Sequence, residues 1–192
     1  MPFLNSIRES EIREIFLYWL KRRPSGGVPA RGSIDPADIP PKYLPHLFLY
    51  AREKDGRFRC RLSGTGIGRA LGDDVTGLCL EEYLPATVAR QRTRMLQQVL
   101  DSALPAYYRG LVVTPSGEQR RYGRILLPVA SSGQAADQIF GMALFGPKEK
   151  PAPPAIADRA YENPAQIIHA VERDLEIAEI DDTSEGDRAP AG

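Results

Sequence analysis

The sequence predicts an α+β fold: a single antiparallel sheet of five strands with helices on one face, plus an N-terminal helix and a C-terminal helical tail. Three observations predict it. Long stretches with apolar residues at helical spacing flank and interrupt five short runs that read as strands between turn residues. The order is strand, strand, helices, then three strands in succession, without the repeating strand–helix–strand unit of a parallel sheet. A chain of 192 residues with 42% hydrophobic content can bury one good core rather than two.

The first helix occupies residues 6–20, where Ser6 and Glu9 have capping-box spacing and Ile12, Ile15, Phe16, Trp19 and Leu20 form one stripe. Pro24, Gly26 and Gly27 stop it, closing an N-terminal unit of residues 1–23. Residues 24–45 read as an extended connection with a short turn near Pro36, capped by Ser33 or Asp35. Strands follow at 47–52 and 58–62, joined by the Asp55-Gly56 turn. A glycine-punctuated segment, 63–77, leads to a helical turn at 80–83 that Pro85 closes. The long helix at 87–104 places Val88, Arg92, Met95, Leu96, Val99 and Ala103 on one face, and Pro105 ends it. Strands at 107–114, 119–130 and 138–145 complete a domain spanning residues 24–146. A proline-rich spacer at 147–155 separates it from a helical tail at 156–180, where Ile167, Ile168, Val171, Leu175 and Ala178 recur at helical spacing. Residues 181–192 are acidic and rich in small residues, the composition of a disordered end.

Charge and composition narrow the function. Lysine plus arginine number 25 and aspartate plus glutamate 25, so no global attraction to nucleic acid is implied. No apolar run approaches the roughly 20 residues of a membrane span, and Arg8, Glu9 and Glu11 interrupt any signal-peptide layout. Two cysteines make no disulfide framework. The expectation is a cytoplasmic protein. Catalytic constellations are also missing: His46 and His169 stand alone, Cys60 and Cys79 lack metal-ligand spacing, and Ser63 in S-G-T-G is no nucleophile elbow. Glu81 and Glu82 are adjacent, so their carboxylates diverge on a helix, and Asp73-Asp74 suits a glycine turn. No catalytic residue and no metal site is expected.

The segment 58–84, FRCRLSGTGIGRALGDDVTGLCLEEYL, separates an enzyme reading from a sensor reading. A dinucleotide fingerprint needs G-x-G-x-x-G, but after Gly64 and Gly66 the third position holds Arg69. Glu81 or Glu82 sits at the distance of a ribose-binding acid, yet both fit a solvated helix face, and no P-loop occurs. A nucleotide-binding enzyme using residues 64–68 therefore stands as the weakest alternative.

The order of elements and several motifs resemble the PAS-fold sensor domains, in particular a bacterial variant often found as a small stand-alone protein. The resemblance runs from Trp19 to Phe145. It rests on Trp19 with G-x-V-P-A-R (27–31), I-D-P (34–36), L-P-H-L-F-L (44–49), F-R-C-R-L-S-G-T (58–65) and G-D-D-V-T-G (72–77). Within it, Arg59 and Arg61 share one face of their strand and Phe58, Cys60 and Leu62 the other, while Gly72 and Gly77 supply positive-φ turns. Such a domain is implied to hold a small cavity between sheet and helices. Leu62, Thr65, Ile67, Leu71, Leu80, Tyr83, Met95 and Val99 are its candidate lining. The pattern departs from the cofactor-bearing branches: Cys79 lacks the flavin-site context, residues 87–104 contain no haem histidine, and the cysteine count argues against an iron–sulfur cluster. No cofactor is identified, and an unknown small molecule is the remaining ligand class. The resemblance implies a sensory or regulatory module acting through protein–protein contacts, with an unnamed signalling partner and a homodimer as its form. The alternative is a ligand-free dimerisation scaffold, with Ile12, Ile15, Phe16 and Trp19 as the candidate interface.

Overall fold

The computed structural model describes residues 2–113, 119–132, 135–149, 161–171 and 175; for residue 113 and residues 161–166 only the backbone is described. Five helices and six strands follow one another: α1 Pro2–Ser6, α2 Ser10–Leu20, β1 Leu47–Arg52, β2 Phe58–Ser63, α3 Thr65–Leu71, α4 Leu80–Tyr83, α5 Ala86–Ser102, β3 Ala106–Val113, β4 Gln119–Val129, β5 Gln138–Lys148 and β6 Tyr161–His169. Three 3-10 turns lie between α2 and β1. All strand pairs are antiparallel, in the order β2-β1-β5-β4-β3-β6.

Two expectations about this sheet need correction. It has six strands rather than five, because the expected tail helix is, over residues 161–169, strand β6 paired along β3. Pro164 in that strand fits an edge position, where a missing N–H costs no ladder bond. Helices also cover both faces rather than one. Eight consecutive residues of β4, from Tyr122 to Val129, are buried, a run with no solvent-facing side. Residues 156–160 and 176–192, and most of the expected spacer, lie outside the described residues, while β5 runs on to Lys148.

Each sheet face has its own core. On the face covered by α3, α4 and α5, Phe48, Tyr50, Phe58, Cys60, Tyr108, Tyr122, Leu126 and Ile139 meet Ile67, Leu80, Leu96 and Val99. On the opposite face, Leu47, Leu49, Ile125, Leu127, Val129, Phe140 and Met142 meet Ile7 and the α2 stripe, with Ala170 and Leu175 closing the margin.

That second core settles the place of the N-terminal helix. Ile12, Ile15, Phe16 and Trp19, expected as a dimer interface, are at most 1% exposed and pack on the chain's own sheet. Burying each is worth about 1.5–3 kcal/mol, more than a surface stripe could gain by waiting for a partner. Trp19 Nε1 also donates to the Pro128 carbonyl oxygen at 2.9 Å, fixing α2 across β4.

The expected single helix from Ser6 is instead two, and the capping box does not form. Ser6 Oγ donates to the Phe3 carbonyl and closes α1, while Glu9 is the N-cap residue of α2 without a side-chain cap bond. Its carboxylate is used elsewhere: Tyr107 Oη donates to Oε2 at 2.7 Å and Arg109 Nε to Oε1 at 3.3 Å. Gly123 makes room for it, since a Cβ there would lie 2.6 Å from Glu9 Oε1. The joint between α1 and α2 is thereby pinned to the sheet.

Candidate functional site

Whereas the other core is almost wholly apolar, the core under α3–α5 carries the buried polar groups. Ile67, Leu80, Tyr83, Met95 and Val99 belong to it, and partly buried Leu71 packs against it. Two expected lining residues do not. Leu62 is 46% exposed, because a register shift between Leu49 and Tyr50 breaks the alternation of β2 after Cys60. Thr65 opens α3 on its exposed side.

Local sequence positions the rest. Asp35 caps its 3-10 turn by accepting from Ala37 N–H at 2.9 Å. Gly72 and Gly77 take φ values of 85° and 88° and shape the loop between α3 and α4, conformations that side chains with a Cβ disfavour. The alternate glycines beside β2 serve close packing. A Cβ at Gly64 would lie 2.3 Å from the Pro45 carbonyl oxygen, and one at Gly66 would lie 2.9 Å from His46 Nδ1. That packing accounts for the glycines without a phosphate.

The residues that make this core unusual are Tyr50, Tyr108, Tyr122, Arg92 and Arg124, none of them among the expected lining. Among the described residues the only buried charged or polar side chains outside the hydrophobic set are Arg92 and Arg124, 4% and 1% exposed. Arg92 projects from the apolar stripe of α5 and its guanidinium lies 5.8 Å from the centre of the Tyr108 ring. Arg124 projects from β4 with its guanidinium 4.6 Å from the Phe48 ring, a favourable cation–π geometry. The hydroxyls of Tyr50 and Tyr83 share a hydrogen bond of 2.9 Å. Tyr108 and Tyr122 meet edge to face at 5.8 Å.

Electrostatics tie these groups into one cluster. Burial raises the pKa of Tyr50 and of Tyr83, and the positive fields of Arg92 and Arg124 at Tyr50, and of Arg92 at Tyr83, oppose that rise. Burial likewise pushes the Cys60 thiol up to about 11, with Arg124 opposing it. The phenols and the thiol are therefore neutral at pH 7, donors as well as acceptors, beside two fixed cations. Hydroxyl donors and guanidinium groups pair in general with hydrogen-bond acceptors and negative charge. It offers no metal ligation: among the described residues no group of three histidine, cysteine or carboxylate side chains converges. Among them, too, no helix is long and apolar enough to cross a membrane.

A sequence signal for part of this existed. Arg92 falls on the apolar face of its helix, where a solvated arginine has no business, whereas Arg124 within G-R-I-L-L-P-V becomes inward-facing only once the strand register is known. Comparison with known proteins agrees with the architecture. No curated protein and no solved structure matches the chain. A family model described as a PAS domain matches residues 7–145, from the joint between α1 and α2 into β5. The chain belongs to the PAS-domain family.

Proposed function

We propose that this chain is a sensory or regulatory PAS module that acts through contacts with other proteins, its state set by a small ligand read at the Tyr50–Tyr83–Arg92–Arg124 cluster. One observation carries the reading: two guanidinium groups and a hydrogen-bonded pair of phenols are buried in the same core of a sensor fold. Replacing buried charge networks with well-packed apolar residues is often neutral or stabilising, so besides their contacts with the Tyr108 and Phe48 rings the two arginines are open to a second use. Recognition of an acceptor-rich or anionic small molecule gives them one. The proposal includes a cytoplasmic setting, a signalling protein as partner and no catalysis of its own.

Native mass spectrometry of the purified full-length protein tests the ligand, with the same sample denatured as control. A mass excess lost on denaturation is the expected result, together with its loss in Arg92→Met. A protein of sequence mass throughout, with no melting shift across a panel of small carboxylates and phosphates, would remove the ligand and leave a filled core. In that case regulation through protein contacts alone remains, in the form of a dimerisation scaffold. Such a dimer cannot use the α2 stripe unless that stripe leaves its own sheet.

A further inference from the structure

Helix α5 and strand β6 enclose a cleft of about 340 Å³ lined by Thr87, Arg90, Gln91, Arg94, Met95, Gln98 and Ile167. Its floor is apolar, with Met95 rooted in the core and Ile167 38% exposed, and its rim carries Arg90 and Arg94. β6 lies beyond the family match, so this cleft is made by the PAS helix and this chain's own C-terminal addition.

The charge pattern of α5 runs against what a free helix prefers. Its first turn holds no acid, three arginines (Arg90, Arg92, Arg94) crowd its N-terminal half, and its one acid, Asp101, sits near the C-terminal end. Cations near a helix N-terminus oppose the macrodipole, and like charges four residues apart repel. Among the described residues Arg90 and Arg94 form no salt bridge, while Asp101 is held by Arg52 and Gln97. Among the described residues the cleft is lined by cations, amides and apolar side chains, and by no acid.

The complementary segment is in the same chain. Residues 176–187, EIAEIDDTSEGD, carry six acids and no base, with Ile177 and Ile180 among them. The segment begins directly after Leu175, which is fully buried in the second core and so anchors it beside β6. Twelve residues reach about 40 Å when extended, ample to pass around an edge strand whose neighbouring layer lies about 10 Å away. A tethered segment also has an effective concentration in the millimolar range, so weak charge pairs suffice to populate the contact. We infer that residues 176–187 dock into the α5–β6 cleft of their own chain, Ile177 or Ile180 on Met95 and Ile167, and carboxylates on Arg90 and Arg94. An acidic partner protein would then compete with this segment for the same helix.

The test uses the full-length protein with a nitroxide at Thr183→Cys, labelling being selective because Cys60 and Cys79 are fully buried. Amide signals of residues 87–98 should broaden, and 1 M salt, with a screening length of about 3 Å, should abolish the effect. R90E/R94E should cut the docked population about tenfold or more. Changing Glu176, Glu179, Asp181 and Asp182 to lysine in that background should restore it. Well-dispersed amide spectra confirm that each variant is folded. Broadening that is absent, or indifferent to charge reversal, overturns the assignment. Broadening carried from a spin-labelled copy to an isotope-labelled unlabelled copy overturns it in favour of a second chain's tail.

Discussion

Removing the Glu9 carboxylate should unlock the N-terminal helices from the sheet, at a cost set by the contacts that hold it. The Tyr107 bond is charge-assisted and 2.7 Å long, within a setting where the Glu9 side chain is only 20% exposed. Hydrogen bonds to charged groups contribute about 1.5–3 kcal/mol. The Arg109 contact is longer, and its side chain is 36% exposed, so solvent reduces it to about 0.2–1 kcal/mol. Glu9→Ala should therefore destabilise by about 2–3 kcal/mol, lowering the melting temperature by about 2–4 °C for each kcal/mol in a chain of this size. Glu9→Gln keeps an acceptor and should lose about half as much. Urea titration gives the values, with an unchanged m-value showing that the same surface unfolds. The double mutant with Tyr107→Phe is decisive, because residues sharing a bond couple by about 0.5–3 kcal/mol. Two additive single mutants, or a cost below about 0.5 kcal/mol for Glu9→Ala, would refute the lock.

Three further outcomes follow from the same structure. Burial raises the Cys60 pKa from 9.0 to about 11, so stability should be intact below pH 9 and fall as pH rises towards 11. That term amounts to about 2–3 kcal/mol and should be missing from the alkaline titration of Cys60→Val. Gly64→Ala places a Cβ 2.3 Å from the Pro45 backbone oxygen and should cost about 1–3 kcal/mol, against a neutral Gly32→Ala, where no atom lies within 4 Å; equal melting of the two variants would contradict the packing role. Tyr83→Phe leaves the buried Tyr50 hydroxyl without that 2.9 Å partner, at about 1–3 kcal/mol. Adding Tyr50→Phe should recover part of the loss in chemical denaturation, since removing both partners is gentler than removing one.

What could be read from the sequence was local, and what could not was a matter of register and partners. The turn at Gly56, the cap at Asp35, the short helix α4 and the positive φ of Gly72 and Gly77 are each dictated within a few residues, and each is present. Glu9 has the spacing of a cap residue, and nothing near it in sequence announces Tyr107 and Arg109, about a hundred residues away. Residues 164–169 lie in a stretch of helical period, yet β3 offered an open edge, and pairing along it outweighed a local pattern that also tolerates a strand. Leu62 looked inward by strict alternation, and a single register shift turned it out. In the candidate site, apolar members such as Met95 and Val99 were legible from helix periodicity, whereas Arg124 needed the strand register that β5 and β3 impose.

The two faces of the sheet divide the work. The face under α1 and α2 is filled by isoleucine, leucine, phenylalanine and tryptophan, and the described part of that core contains no buried charge. The face under α3–α5 holds both buried arginines, the phenol pair and Cys60. Strands β1, β3, β4 and β5 contribute side chains to both at alternate positions, so the two cores share one rigid backbone. An apolar core tolerates volume-conserving exchange, whereas a polar one depends on geometry, because each misplaced donor costs the desolvation already incurred. Tyr107 on β3, between Ala106 and Tyr108 of the polar face, donates to Glu9 at the joint of α1 and α2, so one strand carries both the polar core and the N-terminal contact.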